Sequence, residues 1–227
     1  MSEQEHLHLY ELPGWLVRKG SSTQICCDEV LGSMYSLRST GYRVQTSASA
    51  AEFLINSIIS GKHFTPDPSH TYAAVEDFVY HYENYCLRAF VFREKTLLYL
   101  NAGLLINFPT SDVKLMVILN NDITKKAGLL STLKKFDSRS SDPLGKLIKD
   151  RNSLTHRLYY ESTDRYFRPS VPDDDNEDEF KKWCKEWFKN IKEKSELVDQ
   201  AENHMDLINH ALAEKVLAYR EKLKKSK

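Results

Sequence analysis

The chain has 227 residues, 41% of them hydrophobic and 28% charged, with only eight glycines and seven prolines. That is enough apolar content for a substantial core, and the scarcity of Gly and Pro favours long helices over a many-stranded β architecture. Thirty-two Lys and Arg balance thirty-two Asp and Glu, so no overall basic field points to nucleic acid. The charge is unevenly placed, with twelve bases against seven acids over residues 112–168 and twelve against eight over 181–227. Cys26, Cys27, Cys86 and Cys184 form no CxxC pattern and read as reduced thiols. Residues 1–12 are too polar for a signal peptide, and the longest apolar runs, such as 97–108, are too short and interrupted to span a bilayer. The expectation is a cytoplasmic protein with no membrane partner.

Residues 1–24, with Pro13-Gly14 and Lys19-Gly20, read as an irregular arm. Its His6 and His8 form an H-x-H pair with no third ligand nearby and read as surface histidines. Residues 25–37 and 48–60 predict two short helices separated by a break at Ser39-Thr40-Gly41, and 61–69, with Pro66-Asp67-Pro68, reads as a linker. Residues 1–69 are thus expected to form an N-terminal helical appendage, and 70–225 the main bundle. Residues 71–107 predict its first long helix, with an apolar stripe running from Val75 to Leu104. Arg93 falls within that stripe, either paired with an acid at the core's rim or facing an anion site. Residues 111–136 predict a second bundle helix, interrupted or kinked near Asn120-Asn121-Asp122.

Residues 142–161 predict the next helix, with Asp142 as N-cap and Pro143 in the first position. Leu144, Leu147, Ile148, Leu154 and Leu158 form one stripe, and Arg151 lies in its middle. A permanently charged guanidinium placed there needs an acidic partner, an anion or a wet cleft. Asn152 follows directly, His156 lies about 140° round the helix from Arg151, and Tyr159 stands three residues further on. An arginine of this kind can clamp a phosphodiester while the imidazole moves a proton. Residues 162–179 hold Pro169, Pro172 and the acidic run from Asp173 to Glu179, read as a solvated loop that ends as an acidic first turn. Residues 180–223 predict a long last helix whose seam, from Cys184 to Tyr219, is interrupted by Lys194 and Lys215. It exceeds what a compact bundle needs, so it either breaks near Lys194 or projects toward a partner.

The set Arg151, Asn152 and His156 resembles the signature of the HEPN superfamily (higher eukaryote and prokaryote nucleotide-binding). In that family an Arg and the polar residue after it precede a His by a few positions, on the third core helix of an up-and-down helical bundle. The resemblance covers residues 71–219 and implies an all-α fold, an up-and-down bundle of four core helices. Many HEPN proteins are metal-independent endoribonucleases of toxin–antitoxin, abortive-infection or CRISPR systems, with two motifs meeting across a dimer; others bind nucleotides without cleaving. For this chain it implies RNA or a nucleotide as ligand, a homodimer, an antitoxin or other protein partner, and neither metal nor cofactor. Arg151 and His156 would be catalytic, and Asn152, Arg93 and Tyr159 would bind substrate. The toxin group paired with minimal nucleotidyltransferases continues its motif as His-x-Tyr; here His156-Arg157-Leu158-Tyr159 puts the tyrosine one place later.

The residue chemistry leads the same way. Cleaving RNA without a metal needs a base for the 2′-hydroxyl proton, an acid for the leaving 5′-oxygen and a cation for the crowded phosphorane; histidine suits the first two tasks and arginine the third. Two readings follow. One is an endoribonuclease acting in host defence or stress; the other is a non-catalytic helical module that binds nucleotide or RNA, or drives protein assembly.

Overall fold

A computed structural model describes residues 12, 13, 15, 16, 18–61, 67–159 and 177–226; within 154–159 it describes the backbone but not the side chains. The H-x-H pair at His6 and His8, the segment 160–176 with most of the acidic run, and Lys227 lie outside the described residues. Every regular element among the described residues is helical. Helix α1 spans Ser22–Ile59 and α2 Pro68–Gly103; the short α3 (Leu115–Asn120), α4 (Asp122–Lys126) and α5 (Leu130–Lys134) follow; α6 is Pro143–Tyr159 and α7 Glu177–Lys225.

The break expected at Ser39-Thr40-Gly41 does not occur. Buried residues Val30, Met34, Leu37, Gly41, Val44, Ala48, Ala51 and Ile55 carry a three-and-four spacing straight through it. The hydroxyls that read as breakers are absorbed inside the helix. Thr40 Oγ1 donates to the Ser36 carbonyl at 2.9 Å, and Ser47, Ser49 and Ser57 make the same bond one turn back. Gly41 is there for close packing: a Cβ would lie 1.9 Å from Glu202 Oε1 and 3.2 Å from the Tyr85 ring.

Cross-contacts fix the topology. Lys95 pairs with Glu29 at 3.1 Å and Arg88 donates to Ser36, so α1 and α2 run antiparallel. Arg38 pairs with Asp206 and Gln45 with Asp199 at 2.8 Å, so α1 and α7 do too. Phe92 meets Phe136 edge-on, Tyr82 meets Asp150, and Asp142 and Asp150 meet His204 and Lys194. Helices α1, α2, α6 and α7 therefore close an up-and-down four-helix bundle around one core. Two expectations change. The N-terminal helix is the first member of the bundle, not an appendage to it. The segment 111–136 is not a bundle helix: it folds as a 3-10 turn at Thr110–Asp112 and the three short helices. Asn121 leaves helical geometry to cap α4, taking the Ile123 N–H at 2.8 Å, and Gly128 turns the chain at φ +72°.

Helix α7 has 49 residues, about 74 Å at 1.5 Å per residue. It neither breaks at Lys194 nor projects free, since its buried positions run from Trp183 to Val216. Helices α1 and α2, at 38 and 36 residues, give it a comparably long partner surface.

Candidate functional site

Helix α6 starts as its sequence dictates. Asp142 accepts the Leu144 N–H at 3.2 Å, Pro143 follows, and Leu144, Leu147 and Ile148 are fully buried against the bundle. Two polar ties hold it to its neighbours. At its start, His204 Nδ1 of α7 lies 3.0 Å from Asp142 Oδ2. One residue before Arg151, Asp150 Oδ2 accepts the Tyr82 hydroxyl of α2 at 2.6 Å and the Lys194 ammonium of α7 at 2.6 Å. Burial, followed by the charges and hydrogen bonds of Cys86 and Asp150, holds the Tyr82 phenol well above its ordinary pKa. It therefore stays protonated and serves as a donor. Three helices are pinned through one carboxylate.

Arg151 points onto Phe90 of α2. Its guanidinium carbon is 3.8 Å from the ring centroid, and that of Arg93 is 4.3 Å from the same centroid. The two cations are thus no farther apart than those distances together. Arg93 is also gripped by its neighbour, with Nε 3.0 Å and Nη2 2.9 Å from Glu94 Oε1, and its side chain is only 15% exposed. Arg151 Nη1 donates to Asn152 Oδ1 at 3.2 Å. Stacking uses the face of a guanidinium while its N–H donors lie in its plane, which suits a phosphate presented edge-on. Two positive charges held over one ring repel each other, and Glu94, paired with Arg93, offsets part of that repulsion.

The structure therefore brings Arg93, Arg151 and Asn152 together. Arg93 is paired with an acid, as the first of its two readings has it, and it also shares a ring with Arg151. The backbone at positions 156 and 159 continues α6, so residue 156 sits about 7.5 Å along the axis from Arg151; the side chains of His156 and Tyr159 lie outside the described residues. Among the described residues, no cluster of three or more His, Cys, Asp or Glu is arranged to hold a metal ion. No described helix is long and apolar enough to cross a membrane.

Sequence reasoning missed Asp150 and the parts played by Tyr82, Phe90 and Lys194. A signal was present: Lys194 interrupts an apolar seam on α7, and a lysine at a packed position needs a carboxylate from a facing helix. Asp150 stands beside the packed stripe of α6 as that partner.

An up-and-down helical bundle with a half-buried, ring-stacked arginine on its third core helix is the class of protein defined so far. A family model described as Cthe2314-like HEPN matches residues 34–221, from within α1 to the last turns of α7. The chain belongs to this HEPN family, and that membership supports, at family level, a nuclease or RNA-related role. Neither comparison with curated proteins nor comparison with solved structures gave a match.

Proposed function

We propose that this protein is a metal-independent endoribonuclease that cleaves RNA by 2′-hydroxyl attack, working as a homodimer. The observation that carries the reading is Arg151, on the HEPN motif helix, stacked 3.8 Å over Phe90 with Arg93 on the same ring. In this reading Arg151 offers the in-plane donors of its guanidinium to a phosphate. Arg151 clamps the scissile phosphodiester and stabilises the charge of the phosphorane. Asn152, bonded to Arg151, sets the orientation of the guanidinium.

In this reading His156 of one protomer takes the proton of the 2′-hydroxyl as its oxygen bonds to phosphorus. His156 of the second copy gives a proton to the 5′-oxygen as the P–O5′ bond breaks. The products are a 2′,3′-cyclic phosphate and a 5′-hydroxyl, with one proton accepted and one donated. Two copies supply both roles from one histidine per chain. Tyr159, one turn beyond Thr155 on α6, contributes to substrate binding. The Asp150 tie to Tyr82 holds α6 in register with α2, and the ties of Asp142 to His204 and of Asp150 to Lys194 hold it to α7, so that Arg151 keeps its place on Phe90.

The test is purified protein incubated with RNA in EDTA and the products examined for 2′,3′-cyclic ends. Wild type should produce them, and Arg151→Ala and His156→Ala should each reduce the rate by at least a hundredfold. Cleavage undiminished in both variants, or a strictly monomeric active species, contradicts the proposal. RNA binding without cleavage by wild type would assign the chain to a non-catalytic binding role.

A further inference from the structure

Where one interrupted or kinked helix was expected, the segment 111–136 folds as short pieces that leave a hollow between α3, α5 and the turn that precedes α6. The hollow has a volume of about 490 Å³, within the range of small-molecule sites, roughly 300–1,000 Å³. Its floor is apolar: Met116, Leu119 and Leu130. Met116 is 51% exposed although its neighbours Ile118 and Leu119 are buried, so the floor is open to an incoming flat group. Its rim carries Lys125, Lys134 and Arg139 against a single lining carboxylate, Asp137.

That carboxylate is already committed. Asp137 accepts the Arg139 backbone N–H at 3.0 Å and two guanidinium bonds at 3.0 and 2.7 Å, and these bonds hold its acid at about 2. Lys125 is paired with Asp122, while Lys134 makes no ion pair among the described residues. The rim therefore keeps a net positive charge facing the cavity.

The position of the hollow relates it to the arginine pair. Phe136 packs edge-on to Phe92, centroids 5.8 Å apart, which seats residues 136–140 against α2 one residue from Arg93. The Arg93 charge is felt at the Asp137 carboxyl. Arg93, which shares the Phe90 ring with Arg151, thus lies next to the α2 residue that seats the turn carrying Asp137. An apolar floor, cations at the rim and the Asn120 carboxamide, which both donates and accepts, are the complement of a base attached to a phosphate.

We propose that this hollow is a nucleotide subsite, with the base over Met116 and Leu130, its edge read by Asn120 and its phosphate held by Lys134 and Arg139. That this subsite holds a base of the RNA whose phosphate is clamped by Arg151 rests on the ribonuclease reading. Binding of a mononucleotide does not.

The experiment titrates the full chain with 5′-AMP, 5′-UMP and inorganic phosphate by calorimetry, alongside Met116→Trp, which fills the floor, and Lys134→Glu. Lys189→Glu, at a residue 77% exposed on α7, makes the same charge change elsewhere. Circular dichroism confirms that each variant is folded. At least one nucleotide should bind saturably, tenfold or more tightly than phosphate. Met116→Trp and Lys134→Glu should each weaken it at least fivefold, and Lys189→Glu should leave it unchanged. Absence of saturable binding, equal binding of inorganic phosphate, or indifference to both pocket variants overturns the subsite. RNA cleavage in the same preparations separates the two readings. If wild type cleaves and Met116→Trp leaves KM and the choice of cleaved bases unaltered, the subsite is wrong and the ribonuclease stands. If nucleotides bind as expected and no RNA is cut, the ribonuclease reading falls and the nucleotide site stands.

Discussion

Replacing Gly145 by alanine sets two effects of opposite sign against each other. Gly145 is in the first turn of α6, and helix propensity alone favours alanine there by about 0.5–1 kcal/mol, less near a helix end. Packing opposes it. A Cβ at this position would lie 2.5 Å from the Asp137 carbonyl oxygen, 2.9 Å from Ser140 Cβ and 3.1 Å from the Lys135 carbonyl oxygen. Two of these three atoms are backbone, in a turn closed by the Ser140 N–H bonded to the Asp137 carbonyl at 2.8 Å, so no side-chain rotation relieves the overlap. Overpacking of a rigid site costs about 1–3 kcal/mol, and the upper end applies here. The net expectation is a loss of about 2 kcal/mol, or a fall of roughly 4–8 °C in Tm for a chain of this size. Thermal and urea unfolding followed by circular dichroism measures it, with an unchanged m-value showing that the effect lies in the folded state. RNA cleavage should fall as well, because α6 must shift to accept the methyl group and Arg151 shifts with it. A Gly145→Ala protein as stable as wild type, or more stable, would refute the close seating of α6 on the 135–140 turn.

Asp150→Asn removes the charge that meets Lys194 and weakens the acceptor for Tyr82; with side chains 21% and 30% exposed, the expected loss is about 1–3 kcal/mol. A double-mutant cycle with Tyr82→Phe should show coupling of at least about 0.5 kcal/mol, and strict additivity would mean that the hydroxyl contributes nothing through Asp150. Burial raises the Glu202 pKa above its ordinary value of 4.5, so the folded state favours the protonated form, and stability present below that value is lost as pH rises above it. Glu202→Gln should therefore raise the unfolding midpoint at pH 7, with the advantage vanishing below about pH 4 in melts across a pH series; an advantage independent of pH would rule out this cause. Phe90→Ala removes the ring under both arginines and should lower RNA cleavage about tenfold or more, measured as kcat/KM, while leaving the chain helical by circular dichroism.

The helix-rich class, the cap at Asp142-Pro143 and the burial of Leu144, Leu147 and Ile148 were legible in the sequence, because capping and helical periodicity are local. The Arg151-Asn152 pair was visible for the same reason, as neighbours on one helix. The two elements misjudged share a cause. Thr40 and Gly41 signal a break only while no partner is considered; with Tyr85 and Glu202 packed alongside, the small residue suits the close helix–helix contact. Asn121 and Gly128 carry genuine break signals, yet how the pieces between them fold depends on where Ile118, Leu119, Leu129 and Leu133 find a core.

What this sequence determines by itself is a set of amphipathic helices and a motif helix that cannot bury its arginine without company. Which helices close the bundle, that Arg93 joins Arg151 on Phe90, and that Asp150 gathers Tyr82 and Lys194 are decided only in the tertiary structure. The two Asp150 contacts join residues 68 and 44 positions apart, and no local preference encodes which of many compatible faces will meet. That choice is made by the packing of whole helices, whose buried area outweighs any single pair.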